Sequence, residues 1–295
     1  MTLPASPAPG PAGSRRVVLV PLDGSELAER ALPVARWAAA GLGGPLELLL
    51  VAVDDEEAAR FAGYLATVGA REGLGEGAVT VVLDRDAAEG IRRTAAGRPG
   101  ALVCLATHGW GRAAGPLGSV ATVVTAGLGQ PVLAVGRQAR PGPPGAPVLA
   151  CVDGSIASEA VLAPAAAWAG ALGAPLHVLT VYEPIPEPDH RGHYHRSHGP
   201  TVDAEAYVAG LAERAADLVG AGAGGLAPAG VAVADPISAT DGIRTHLAEH
   251  PAQLLVVSTR ARTGLSRFVL GSEAARIVGH SPAPVLVVPL ARPTA

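Results

Sequence analysis

The sequence contains no lysine and no asparagine, so all 22 basic residues are arginine. With 38 glycines and 27 prolines beside abundant alanine, this reads as codon bias in a GC-rich genome. A single arginine therefore carries little functional weight, because lysine was not an available choice. Cysteine is scarce as well. Cys104 and Cys151 each sit in an apolar, strand-like run, which predicts buried free thiols and gives no sign of an oxidising compartment. Hydrophobic residues make up 49% of the chain, yet no apolar run reaches the ~18–20 residues of a membrane span. Residues 1–14 are rich in Pro, Ala and Gly without the apolar core of a signal peptide, and a disordered lead-in is expected there. A net charge of −4 argues against nucleic acid or an anionic membrane as partner. The expectation is a soluble cytoplasmic protein.

Catalytic signatures are missing too. The sequence has no G-x4-G-K-[ST], no H-E-x-x-H, no C-x2-C and no G-x-S-x-G. Neighbouring motifs supply no pair of carboxylates and no Ser/His/Asp set, so no catalytic residue is assigned. His190, His193, His195 and His198 crowd a polar Pro/Gly-rich stretch. With no cysteine and no regular element to hold them, they read as local composition rather than as a metal site.

What the chain does have is repetition. Val20-Pro-Leu-Asp-Gly-Ser25 returns as Cys151-Val-Asp-Gly-Ser155, with Asp23 and Asp153 130 positions apart. Gly118-Ser119 returns as Gly271-Ser272, and Pro131–Val135 as Pro284–Val288, both 153 positions on. The second copy therefore carries extra residues, assigned largely to the polar stretch from Glu183 to Pro200. The expected layout is residues 15–137, a Pro/Gly-rich linker at 138–146, and residues 147–292.

Each copy reads as strands alternating with helices. In the first, strands are expected at Val17–Leu22, Leu46–Val53, Val79–Leu83, Ala101–Ala106 and Val132–Val135. Helices are expected at Ser25–Ala40, Glu56–Gly69, Ala87–Ala96 and Ser119–Ala126. In the second, the strands are Val148–Val152, Leu176–Tyr182, Val231–Ala234, Gln253–Ser258 and Val285–Pro289. Its helices are Ser155–Ala171, Thr201–Val219, Ala239–Glu249 and Ser272–His280. Continuous rather than alternating apolar strands mark a parallel sheet covered on both faces. The fold class is therefore α/β: two tandem, doubly wound, five-stranded parallel sheets. Ligands of such sheets bind at the strand carboxyl ends, where the winding reverses. There the chain places Asp-Gly-Ser after strand 1, and a polar glycine-containing loop running into a helix N-terminus after strand 4.

In their order and duplication these motifs resemble tandem universal stress protein domains, from Val17 to Leu290. That resemblance implies an adenosine nucleotide, ATP with Mg²⁺, in one or both strand-1/strand-4 clefts, and a non-enzymatic regulatory role toward a protein partner. It implies that Asp23 and Asp153 lie by the ribose, with Pro21, Gly24, Ser25, Gly154 and Ser155 in the same binding sites, although an ordinary capping turn explains the Asp-Gly-Ser residues equally well. Ala52 and Val181 would offer backbone to adenine, or simply be core strand. His108, Gly109, Gly118, Ser119 and Val120, with Ser258, Arg260, Ala261, Gly271, Ser272 and Glu273, would face the phosphates. His108, Arg112, Arg260, Arg262 and Arg267 could neutralise phosphate charge or simply be solvated. Glu273 stands where a small or apolar residue would suit phosphate better.

ATP-binding members of the family carry G-x2-G-x9-G-[ST], and both copies depart from it. The first has Ala106 at the first glycine and eight residues before Gly118. The second keeps nine but has Ser258 and Ala261 in place of two glycines. A Cβ where backbone must approach a phosphate works against tight binding. Two other readings therefore stand beside the first: a scaffold that binds no nucleotide and acts through protein contacts, and a slow ATPase, against which no general base is identifiable. The resemblance further implies that Val132–Val135 and Val285–Val288 pair across a pseudo-twofold axis, and it leaves a homodimer open.

Overall fold

The computed structural model describes residues 16–75, 77–109, 116–183, 203–219, 227–259 and 271–290. In the first half, β1 (Val18–Leu22), β2 (Leu46–Ala52), β3 (Val79–Leu83), β4 (Leu102–Ala106) and β5 (Val132–Val135) alternate with helices. Those are α1 (Glu26–Glu29), α2 (Ala31–Leu42), α3 (Asp55–Arg71), α4 (Ala87–Ala96) and α5 (Ser119–Gly127). The second half has β6 (Val148–Val152), a 3₁₀ turn (Ser158–Val161), α6 (Leu162–Leu172), β7 (Leu176–Tyr182) and α7 (Ala204–Ala216). It continues with β8 (Ala229–Ala234), α8 (Ala239–Glu249), β9 (Leu254–Ser258), α9 (Ser272–His280) and β10 (Val285–Val288).

The strands form one sheet in the order β3-β2-β1-β4-β5-β10-β9-β6-β7-β8. Every pair within a half is parallel. Each chain half winds outward through two strands, then returns to the other side of its first strand. The winding therefore reverses between β1 and β4, and again between β6 and β9. The two five-stranded units join where β5 meets β10 antiparallel, with Leu133 opposite Leu286. Those residues occupy matching places in the two copies, so the pseudo-twofold passes between them.

Both faces of the sheet are covered. One apolar layer packs under α2, α3, α6 and α7 and the other under α4, α5, α8 and α9, and each layer draws residues from both halves. Trp37 of α2 and Trp168 of α6 stack across the join, with ring centroids 5.7 Å apart and planes 17° apart. The linker is laid against the second half. Ala139 is buried, and the Arg140 and Gly142 N–H groups donate to the carbonyls of Pro282 and Ala252, each at 2.9 Å. Among the described residues no helix is long and apolar enough to cross a membrane.

Two expected helices are broken. Ser25–Ala40 divides at Arg30 into α1 and α2, and Ser155–Ala171 divides into a 3₁₀ turn and α6. Pro33 and Pro164 explain both breaks. Each lies at the third residue of the later helix, where its ring displaces the carbonyl four residues back and removes an N–H. The helix expected at Glu56–Gly69 runs from Asp55 to Arg71, started by the Asp54 carboxylate accepting from the Glu57 N–H. That expected at Thr201–Val219 covers Ala204–Ala216, capped by Asp203. Cys104 is buried, whereas Cys151 is only half-buried.

Candidate functional site

Each cleft begins where two strands part. β1 stays paired to β2 as far as Leu22, but its register to β4 covers Val18 and Leu19. β6 likewise follows β7 to Val152 but β9 only to Ala150. Pro21 lies in the diverging part, opposite Leu49, where its missing N–H costs no ladder bond to β4.

At the end of β1 the chain turns through Gly24, whose φ of +84° suits glycine. The Asp23 Oδ1 accepts from the Ser25 N–H at 2.9 Å and from its hydroxyl at 2.6 Å. The Ser25 Oγ accepts in turn from the Ala28 N–H at 3.1 Å, which starts α1. The motif is therefore a capping turn, and it also aims a carboxylate oxygen across the cleft. A Cβ built on Gly109 would lie 2.1 Å from the Asp23 Oδ2. Backbone just past the end of β4 thus reaches the end of β1 only because residue 109 has no side chain. The Phe61 ring covers Gly24, 2.4 Å from where a Cβ would stand there.

On the β4 side, the Thr107 N–H donates to Val135 O at 2.9 Å and extends the sheet. Thr107 and His108 are both buried, with Thr107 Oγ1 3.0 Å from His108 Nδ1. His108 is thus packed into the body of the fold rather than solvated. The Gly118 N–H donates to Thr107 O at 2.7 Å. This corrects the expectation that Gly118 offers its amide to a ligand: the amide closes the crossover. A Cβ at Gly118 would also press on Thr107 O at 3.2 Å. Ser119 and Val120 then open α5 behind a glycine N-cap with no side-chain bond, as Ser272 and Glu273 open α9 behind Gly271. By contrast α1, α3, α4, α7 and α8 are each capped by a Ser or Asp side chain. First-turn amides without such a cap are the groups a helix N-terminus can present to an anion.

The second copy repeats the turn. Gly154 has φ +82°, and the Asp153 Oδ1 accepts from the Ser155 N–H at 3.1 Å and its hydroxyl at 2.5 Å. Ser155 Oγ accepts from the Ser158 N–H at 3.2 Å. Ser258 ends β9, and the buried Thr259 donates its N–H to Val288 O at 3.0 Å. Arg260 and Ala261 lie outside the described residues, as do Arg112, Arg262, Arg267 and the histidines at 190, 193, 195 and 198.

Two further expectations need correction. Glu273 does not stand over the mouth of α9. Its Oε1 accepts from the Thr240 N–H at 2.8 Å and the Thr240 hydroxyl at 2.6 Å, tying α9 to the start of α8. Burial opposes its charge, but the Thr240 donors and the Arg276 guanidinium at 3.3 Å outweigh burial and hold the carboxyl below the usual carboxylate range. Val181 is also not the counterpart of Ala52. Leu22 pairs with Leu50 and Val152 with Thr180, so Ala52 corresponds to Tyr182 and Val181 to Val51. The Ala52 carbonyl accepts from the Asp84 N–H at 2.9 Å, and the Tyr182 carbonyl accepts from Asp235 at 3.0 Å in the same way.

Sequence reasoning missed a third duplicated feature. Arg71 pairs with Glu29, and Arg214 with Glu159. Seven residues before each arginine stands a tyrosine, Tyr64 or Tyr207, whose hydroxyl is buried. Burial first, then the glutamate and the strand-end aspartate, push both phenols above their ordinary range. The constant Tyr-x6-Arg spacing was a legible signal. Away from the strand ends, a cavity of about 400 Å³ opens between α4 and the end of α5, lined by Arg92, Arg93, Gly127 and Gln130 among others.

Fold and clefts together define a tandem, doubly wound α/β protein with two strand-end sites. The family model described as the Universal stress protein family matches residues 14–136 and again 146–289. The chain therefore belongs to that family, with two copies in one polypeptide. A universal stress protein from Archaeoglobus fulgidus is similar over 94% of this chain and 97% of its own, at 18% identity and a TM-score of 0.64. A putative universal stress protein from Pseudomonas aeruginosa is similar over 94% of both chains, at 19% identity and a TM-score of 0.57. At such identities these likenesses speak to the fold. A universal stress protein in complex with cAMP matches 48% of this chain and 95% of its own, at 27% identity and a TM-score of 0.33. No curated protein matches.

Proposed function

We propose that this chain is a cytoplasmic, non-enzymatic regulatory module that binds an adenosine nucleotide, ATP with Mg²⁺, at the switch point between strands 1 and 4. One observation carries the reading. At the first switch point a fixed carboxylate and a glycine backbone meet so closely that no Cβ fits between them, beside a helix that opens with no side-chain cap. Asp23 is suited to ribose hydroxyls, and the first-turn amides of α5 with the Ser119 hydroxyl to phosphate. ATP would bring phosphate charge, and Mg²⁺ would travel with the phosphates. The chain's contribution is to bind and orient. Domains at 15–137 and 147–292, joined by 138–146 behind a lead-in at 1–14, are part of the same reading.

Calorimetric titration of the full chain with ATP and Mg²⁺ tests it. Saturable binding in the micromolar range is expected, without turnover above the uncatalysed rate. Absence of heat up to millimolar ATP would leave the scaffold that works through protein contacts. Val79, Val81 and Leu83 are exposed along the outer strand β3 and would suit that role. Steady phosphate release would instead establish an ATPase.

A further inference from the structure

We infer that the second half carries an acid-sensitive clasp that the first half lacks. It consists of His177 on β7 with His246 and His250 at the end of α8. The clasp holds that end of α8 on the sheet while its imidazoles are neutral, and loosens it once they are protonated. Nucleotide binding plays no part in it.

The duplication shows what was exchanged. Leu19 pairs with Glu47 and Leu149 with His177, so Glu47 and His177 hold the same place on strand 2. Gly90-Ile91-Arg92 of α4 returns as Gly242-Ile243-Arg244 of α8. Thr94 is therefore the counterpart of His246, and Arg98 that of His250. In the first half Arg98 forms an ion pair with Glu47 and donates to the Thr80 hydroxyl at 3.1 Å. Guanidinium and carboxylate both keep their charge throughout the range in which imidazole titrates. The second half has put three imidazoles in that place. The His246 and His250 rings have centroids 4.9 Å apart and planes tilted by 43°. α8 packs on β7, and His177 lies near enough for its charge to act on His246. Among the described residues no group of three or more His, Cys, Asp or Glu side chains is placed to hold a metal ion, so the proton is the ligand to consider.

The surroundings offer a second positive charge little relief. Burial first, then His250 and His177, hold His246 below the usual histidine range, and burial does the same to His177. Glu249 acts on His246 in the other direction but is exposed. β8 carries no titratable residue. The charged groups of α9 attend to the opposite end of α8 or to α9 itself. Arg276 reaches Asp241 at 3.8 Å, Glu273 is bound to Thr240, and His280 Nδ1 lies 2.9 Å from Arg276 O. Arg244 is paired with Asp241 at 3.2 Å.

The sign follows from the lowered values. A base whose pKa is lowered by folding binds fewer protons in the folded chain than in the unfolded one. The stability it leaves intact above the ordinary imidazole value declines as pH falls below it, because cations are then forced side by side. The strain is felt where α8 ends. His250 is the C-cap, its N–H donating to His246 O at 2.8 Å. Two residues on, Ala252 O accepts from Gly142 of the linker, so a loosened α8 also frees the linker.

Hydrogen exchange of the full chain, read by mass spectrometry at about pH 7.5 and about pH 5.5, brackets the ordinary imidazole value of ~6.5. After correction for intrinsic rates, protection should fall at acid pH in peptides covering 239–250 and be retained in those covering 87–98. Equal loss in both, or loss in neither, would overturn the inference. A graft gives an independent check. His177→Glu with His246→Thr and His250→Arg copies the first half into the second. Between those two pH values the unfolding constant of the unmodified chain should rise about fivefold more than that of the grafted chain. A ratio that does not change with pH counts against the clasp. Should the graft fail to fold, NMR titration of the ring nitrogens in the unmodified chain decides. His177 and His246 should titrate below the ordinary value, and titration at or above it would sink the proposal.

Discussion

At the residue scale, the Asp-Gly-Ser turn shows why one motif supports two explanations. Asp23 Oδ1 is occupied by capping bonds to Ser25, and its other oxygen faces Gly109. Capping and cleft are two faces of one carboxylate, so the sequence could not choose between them. The need for glycine at 109 was legible as a family pattern, but its cause lies 86 positions away on another strand. Glu273 was misplaced for a similar reason. Its partner Thr240 sits on a different helix, and no periodicity links them. Its carboxyl is held low in the folded chain, so the stability its charge adds is present above the ordinary carboxylate range and is lost as pH falls through the folded value. The stability gap between the unmodified chain and Glu273→Gln should therefore be visible at pH 7 and shrink below about pH 4. With 32% of the side chain exposed, the gap should stay under ~1 kcal/mol. Urea titrations across pH measure it, and a gap that does not change with pH would refute the ionic role of Glu273.

At the element scale, apolar runs located the strands to within a residue or two, because a parallel sheet covered on both faces leaves little else such runs can be. Helix continuity was read less well. Pro33 and Pro164 were in plain view, yet the apolar spacing across them stayed helical and masked the breaks. The strand-2 correspondence slipped by one residue because both strands are continuous apolar runs with no motif to fix their alignment, and only the β1–β2 and β6–β7 registers decide it. The broken first helices have a consequence at the join. They leave α2 and α6 as separate rods whose tryptophans meet, and a Cβ on Gly41 would stand 2.8 Å from the Leu172 side chain. A double-mutant cycle on Trp37→Ala and Trp168→Ala should return a coupling of about 1 kcal/mol. Additivity within ~0.3 kcal/mol would mean that the two rings do not pack on each other in solution.

At the scale of the whole molecule, the seam decides whether there are two proteins or one. Leu133 and Leu286 face each other at the antiparallel join and are almost fully buried. Both apolar layers continue across that join from one half into the other. Neither half can then lose its structure without exposing the apolar surface it shares with its neighbour, at roughly 25 cal/mol for each Å². The intact chain should unfold in a single calorimetric transition, with measured and van't Hoff enthalpies in agreement. Leu286→Asp places a carboxylate in the seam, where it has no room for water and no cation opposite it in the strand pair. The charge must be neutralised or the strands must separate. The expected result is a split into two transitions, the half that keeps its own core melting last. Two resolved transitions in the unmodified chain would show instead that the seam joins the halves without coupling them. In that case occupancy of a cleft in one half could not be felt by the other through the sheet.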